Sequence, residues 1–144
     1  MMSTLACPSR NSSQLPASRP LAQGFLSGRY DRAVRPQNRV RAYSALFLPG
    51  NLDRAGELFR VVREVAQAHD ATPAQVALAW AIRSPAVAAI PGASSVAQLE
   101  SNAAAAEIDL SDDEWQVLRD ASARFEPVTG PAALPALLRA RLGR

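Results

Sequence analysis

From residue 50 to residue 125 most apolar positions fall at helical spacing. Leu58, Phe59, Val62, Val65 and Ala66 stand at i, i+1, i+4, i+7 and i+8, one stripe of a 3.6-residue period. Pro49-Gly50-Asn51 precedes this helix, Asn51 or Asp53 can cap it, and His69-Asp70-Ala71 ends it. Thr72-Pro73-Ala74-Gln75 is a start signal. The threonine accepts from a first-turn amide, proline suits the first helical position, and the glutamine reaches back. Val76, Ala77, Trp80 and Ala81 form the apolar face of that helix, which stops before Ser84-Pro85. Ser95 with Gln98 and Ser111 with Glu114 repeat the capping-box pattern. They open helices to about Ala106 and through Trp115, Leu118 and Ala121.

Two stretches read as strands. Ala86-Val87-Ala88-Ala89-Ile90 is a short apolar run bounded by prolines, the pattern of a strand buried on both faces of a parallel sheet. Pro20-Leu21-Ala22-Gln23-Gly24 suits a brief strand and a turn. Gly28 to Gly50, with arginines 29, 32, 35, 39 and 41, reads as one long loop, a length that usually marks function or mobility. Residues 1–18 show neither period and read as an irregular or disordered tail. In residues 127–144, prolines 127, 131 and 135 precede Leu137, Leu138 and Leu142 among arginines, a basic tail with room for a short amphipathic helix. Helices between strands indicate an α/β fold with a parallel sheet. Two strands neither close a barrel nor make a covered sheet, so the chain reads as a piece of something larger.

Composition removes several kinds of chemistry. The 144 residues contain 20% charged and 48% hydrophobic side chains, a globular balance. All 16 basic residues are arginine, so no lysine-dependent step is available within the chain. Cys7 is the lone cysteine and His69 the lone histidine, which excludes an internal disulfide framework and a cysteine-based zinc site. The net charge of +3 is small, and the Arg29–Arg41 cluster holds one aromatic, Tyr30, and the Arg139–Arg144 cluster none, so nucleic acid is not an expected partner. No apolar run approaches the ~20 residues of a membrane span. No secretory-signal core stands at the N-terminus. A cytoplasmic address is the expectation.

The chemistry concentrates at Ile90-Pro91-Gly92-Ala93-Ser94-Ser95. A strand runs through a turn of small residues into a capped helix. Such a turn lets a ligand approach the backbone closely, and the helix start offers unpaired amides and a positive dipole end. Gln98 and Asn102 lie i, i+4 on one face just beyond. That array fits a phosphate joined to a heterocycle; the same spacing also fits a plain strand, turn and capped helix.

Three stretches resemble the aldo-keto reductase family. They are Pro20-Leu21-Ala22-Gln23-Gly24-Phe25-Leu26-Ser27-Gly28-Arg29-Tyr30, then Thr72 through Trp80, then Ile90 through Ser95 with Gln98-Leu99 and Asn102. Order and spacing are similar to the last quarter to third of that family, over residues 19–126, and closest to the branch of potassium-channel β subunits and their bacterial relatives. The resemblance implies a partial (β/α)8 TIM barrel, its strands seven and eight with their helices, and an NADP(H) cofactor. It also implies that Pro20, Leu21, Ala22 and Gln23 hold the pyrophosphate and that Arg29 and Arg39 sit in the loop over the cofactor. Gly92, Ser94 and Gln98 would line the 2′-phosphate and adenosine, and Asn102 the adenine edge. Arginine suits that phosphate because its planar fork binds two oxygens. The family's aromatic–serine pair is replaced by Ser18 and Arg19, and the glutamate before the asparagine by Ser101.

The same resemblance implies reduction of a small carbonyl compound by hydride transfer. The acid is a tyrosine tuned by a lysine, with a histidine and an aspartate, all from earlier strands. Tyr30 and Tyr43 are the only tyrosines here, and an untuned phenol has a pKa near ~10, poor for proton donation at neutral pH. Both read as loop or packing residues, His69 as a helix end, and Trp80 and Trp115 as core anchors. No catalytic residue is expected within the chain, which should be silent alone. The alternative is a non-catalytic remnant that binds nucleotide or docks on a partner.

Overall fold

Two short strands lie side by side and parallel. The computed structural model describes residues 15–17, 20–30, 34, 36 and 44–142. Strand β1 (Leu15–Ala17) pairs with β2 (Val87–Ala89), in the register Leu15 to Val87, Pro16 to Ala88 and Ala17 to Ala89. This corrects two expectations. The strand falls inside the tail expected to be irregular. The run expected to be a strand is instead a turn at Pro20-Leu21 and a 3-10 segment over Ala22–Ser27. Pro20 has no amide to give to a ladder. Ala22, Gln23 and Gly24 all take positive φ, at 46°, 62° and 91°, which no strand accommodates. The strand at β2 forms where expected but is only half-buried, and Ile90 beyond it is 57% exposed. Among the described residues β2 has a single neighbouring strand, so burial on both faces is not reached.

Among the described residues there are six α-helices. They are α1 (Pro49–Arg54), α2 (Gly56–Ala68), α3 (Pro73–Ile82), α4 (Val96–Ala104), α5 (Asp112–Arg124) and α6 (Leu134–Leu142). The one helix expected after Pro49-Gly50-Asn51 is two: α1 begins at Pro49, which is preorganised for the first helical position, and α2, which carries the Leu58–Ala66 stripe, begins after Ala55 with no side-chain cap from Asn51 or Asp53. Thr72 and Ser111 make complete capping boxes with Gln75 and Glu114. Ser95 makes only half of one: its hydroxyl accepts from the Gln98 amide, while the Gln98 side chain turns to Ser94. Asp70, at φ +48°, carries the chain from α2 into the next cap.

The apolar stripes meet in two joined clusters. Leu58, Val61, Val62, Val65 and Ala66 of α2 pack on Val76 and Ala79 of α3, Leu118 and Ala121 of α5, and Leu110. Beside them Phe25, Phe47, Leu52, Ala55 and Phe59 form an aromatic-rich cluster. The Phe25 ring lies 4.9 Å from Phe59, 5.6 Å from Phe47 and 5.4 Å from Phe125, centroid to centroid, distances at which ring quadrupoles add to burial. Leu26 and Phe125 touch both clusters. Trp80 packs on the first cluster as expected. Trp115 does not anchor the core. It is half-buried, with the guanidinium carbons of Arg83 and Arg119 at 5.8 and 5.4 Å from its ring centroid.

Candidate functional site

The strand register sets the site. Ala17 stands opposite Ala89 in a parallel pair, and Pro20 and Gly92 each lie three residues further on. Both segments singled out from the sequence therefore leave the same, C-terminal end of the sheet. In α/β folds of parallel strands that end is where ligands gather.

Gly92, Ala93, Ser94 and Ser95 are all exposed, and a Cβ placed on Gly92 would meet nothing within 4 Å among the described residues. The Ser94 amide donates to Gln98 Oε1 at 2.7 Å and its hydroxyl donates to the same oxygen at 2.9 Å. The Gln98 amide donates to Ser95 Oγ at 3.2 Å. These bonds hold Ser94 and Gln98 together at the start of α4 and commit the Gln98 oxygen, leaving its NH2 group for a ligand. The amides of Val96 and Ala97 precede any intrahelical acceptor. With the helix dipole they favour an anion. Asn102 lies one turn further along α4 and is half-buried.

The other segment is strained. The carbonyl of Leu21 accepts from the amides of Gly24 at 2.8 Å and Leu26 at 3.4 Å, closing a tight loop around Ala22 and Gln23. Two L-residues in the left-handed region cost about 1–2 kcal/mol each. Gln23 Oε1 is buried and has no hydrogen-bond partner among the described residues. A carbonyl oxygen repels phosphate and accepts from a hydroxyl. Within Leu21–Gln23 a pyrophosphate would therefore be met by backbone amides, and the Gln23 side chain suits a sugar hydroxyl. The residues present thus fit an adenosine-phosphate cofactor through amides, the Ser95 hydroxyl and an orphaned acceptor.

Arg29 is exposed. Arg39, Tyr43 and Cys7 lie outside the described residues, as do residues 1–14. Tyr30 packs edge-on against Phe47, with centroids 5.3 Å apart. His69 Nε2 lies 2.9 Å from Glu114 Oε1, linking the end of α2 to the start of α5. The Glu114 carboxyl is held below its usual range, first by the Ser111 hydroxyl, then by the Ser111 amide, with His69 adding to both and partial burial opposing. Among the described residues no three potential ligands cluster as a metal site, and no helix is long and apolar enough to cross a membrane.

The Aldo/keto reductase family model matches residues 6–123. The chain belongs to the aldo/keto reductase family. It is 49% identical to an oxidoreductase of Mycobacterium tuberculosis over 125 residues, which are 87% of this chain and 38% of that protein. It is 43% identical to the methylglyoxal reductase of Escherichia coli over 82 residues, 57% of this chain and 29% of that one. It is 31% identical to an NADP(+) aldo-keto reductase of Schizosaccharomyces pombe over 120 residues, 77% and 35% of the two chains. The chain thus spans less than two-fifths of the length of these relatives. The aldo/keto reductase match begins at residue 6, where the sequence reading began it at 19, and it takes in β1. The signal was weak because Leu15-Pro16-Ala17 is three residues long and set among serines and prolines. Asn51 was missed as a structural hub; an asparagine two residues after a helix-opening proline resembles a cap and gives no sign of its tertiary partners.

Proposed function

We propose that this chain supplies the adenosine-phosphate end of the NADP(H) site of an aldo-keto reductase, as strands seven and eight of a (β/α)8 barrel with their helices. The parallel register of Ala17 with Ala89 carries this reading, because it sends Pro20–Gln23 and Gly92–Gln98 out at one end of the sheet. Gly92, Ser94 and Gln98 would receive the 2′-phosphate side and Asn102 the adenine edge. The backbone of Leu21 to Gln23 would lie along the pyrophosphate, with Pro20 fixing its entry and Arg29 and Arg39 flanking it. When bound, the cofactor supplies hydride for reduction of a carbonyl. The part this chain plays is to bind and orient: small side chains admit the phosphate, α4 offers charge complementarity, and Gln98 and Asn102 present amides on one face. It brings no lysine, so the lysine that tunes the acid in this family must come from elsewhere in a whole enzyme.

The test is amide chemical-shift mapping with adenosine 2′,5′-bisphosphate and, in parallel, adenosine 5′-monophosphate. Saturable shifts confined to residues 20–24 and 92–102, stronger for the 2′-phosphorylated probe, are the expected result. Shifts elsewhere, or none, would reject the site. NADPH oxidation by the pure chain with a panel of aldehydes would reject the claim that it is silent alone. A non-catalytic binding or docking role is the second reading, and the exposure of Ile90, Val96 and Leu99 favours it.

A further inference from the structure

A cleft of about 460 Å³ opens between α1 and α6, within the roughly 300–1,000 Å³ range of small-molecule sites. Among the described residues, none assigned above to the cofactor lines it. Leu48, Pro49, Val128 and Ala136 give it apolar walls, and the Asn51–Val128 bonds hold its two sides together. Arg54 of α1 and Arg139 of α6 also line it, and among the described residues no aspartate or glutamate does. Arg60, Arg83 and Arg124 each pair with a carboxylate. By contrast, no hydrogen bond or ion pair engages the Arg54 guanidinium among the described residues. Among the same residues Arg139 commits only its Nε, to the Pro135 carbonyl at 3.4 Å. Two cations lining one cleft without an acid repel each other, and an anion between them turns that repulsion into attraction.

We propose that this cleft binds a small organic carboxylate with an apolar body, the carboxylate on the guanidiniums of Arg54 and Arg139 and the body against the apolar walls. The site is separate from the cofactor reading and needs none of its residues. The ligand class follows from what the cleft leaves free. Asn51, at its floor, has spent both ends of its side chain on Ala45 and Val128. The start of α1 adds little: Pro49 has no amide, and the amides of Asn51 and Leu52 donate to the Leu48 carbonyl at 2.9 and 3.0 Å. A neutral polar ligand therefore finds few partners, and the guanidiniums are the groups left to recognise one. Their planar forks match a carboxylate. The apolar walls favour a singly charged ligand with a hydrophobic body over a strongly hydrated phosphate, whose desolvation they would not offset.

The experiment titrates the full chain with 2-naphthoate and maps its amide shifts. The neutral counterpart 2-naphthalenemethanol and inorganic phosphate, an anion without a body, are titrated in parallel. The expected result is saturable shifts from 2-naphthoate at residues 48–54 and 128–139, with both counterparts binding about tenfold more weakly or worse. Arg54→Gln and Arg139→Gln should each weaken 2-naphthoate about tenfold or more, with melting of the chain unchanged, since both side chains are exposed. Arg54→Lys keeps the charge without the fork and should recover part of what Arg54→Gln loses. Equal binding of the alcohol or of phosphate, or undiminished binding in either glutamine variant, would overturn the proposal. So would 2-naphthoate shifts centred on residues 92–102, or displacement of 2-naphthoate by adenosine 2′,5′-bisphosphate.

Discussion

Asn51 binds the backbone of Val128 from both ends of its side chain. Its Nδ2 donates to the Val128 carbonyl at 2.9 Å, and its Oδ1 accepts from the Val128 amide at 2.8 Å. The same Nδ2 donates to the Ala45 carbonyl at 2.7 Å. A side chain that is 1% exposed thereby fixes the segment before α1 and the segment after α5, whose Val128 lies 77 residues from Asn51. Removing it leaves three backbone groups without their partner. Asn51→Ala should lower stability by about 2–4 kcal/mol, a net hydrogen-bond loss plus the penalty for unsatisfied groups. Asn51→Leu should recover little, because the orphaned groups belong to the backbone. Urea midpoints measure both, and limited proteolysis after Phe125 should accelerate in each.

Gly28 and Pro73 set the approach of the 3-10 segment to α3. Gly28 has φ +72°, and a Cβ there would stand 2.8 Å from Pro73 Cγ and 3.1 Å from its Cβ. Gly28→Ala carries a left-handed strain of about 1–2 kcal/mol with the overlap in addition. Pro73→Ala removes Cγ and Cδ but keeps Cβ. Gly28→Ala should therefore cost less in the Pro73→Ala background than in the parent, though never nothing. Equal costs from thermal unfolding in the two backgrounds would show that the segment shifts freely away from Pro73.

These contacts mark the limit of what the residues reveal in order. The stripes of α2 and α5, the Thr72 and Ser111 boxes and the strand at Val87–Ala89 depend on local spacing and were legible. The grouping of Ser94 with Gln98 was legible for the same reason, although the Gln98 side chain bonds Ser94 and only its backbone amide bonds Ser95. β1 was not, because a three-residue strand carries no period and its existence depends on a partner more than 70 residues away. The strain at Ala22 and Gln23 was also hidden, since neither residue type predicts positive φ. Asn51 shows the general case: its role is set by Val128.

Glu114 should make stability depend on acid. Hydrogen bonds from the Ser111 hydroxyl and amide, with His69 alongside, favour the carboxylate in the folded state. A carboxyl whose folded pKa is depressed contributes stability above its unfolded value near ~4.3 and loses it as pH falls through the lower folded value. Glu114→Gln should therefore flatten the decline below about pH 5. Ser111→Ala removes the largest cause and should flatten it in part. Urea midpoints in a pH series decide this. An unchanged slope in Glu114→Gln would assign acid sensitivity to other carboxylates.

Gly92 separates binding from folding. Among the described residues nothing lies within 4 Å of where its Cβ would stand, and its φ lies outside the left-handed region. Gly92→Val should leave the melting temperature near that of the parent, since it neither clashes nor strains an exposed turn. If the open space is where the 2′-phosphate approaches, the added bulk should weaken the shifts induced by adenosine 2′,5′-bisphosphate by about tenfold or more, a change of roughly 1.4 kcal/mol. Ser94→Ala should weaken them less, because it removes a hydroxyl whose donor bond is already committed to Gln98. Binding undiminished in Gly92→Val would move the phosphate away from this turn while leaving the fold as described.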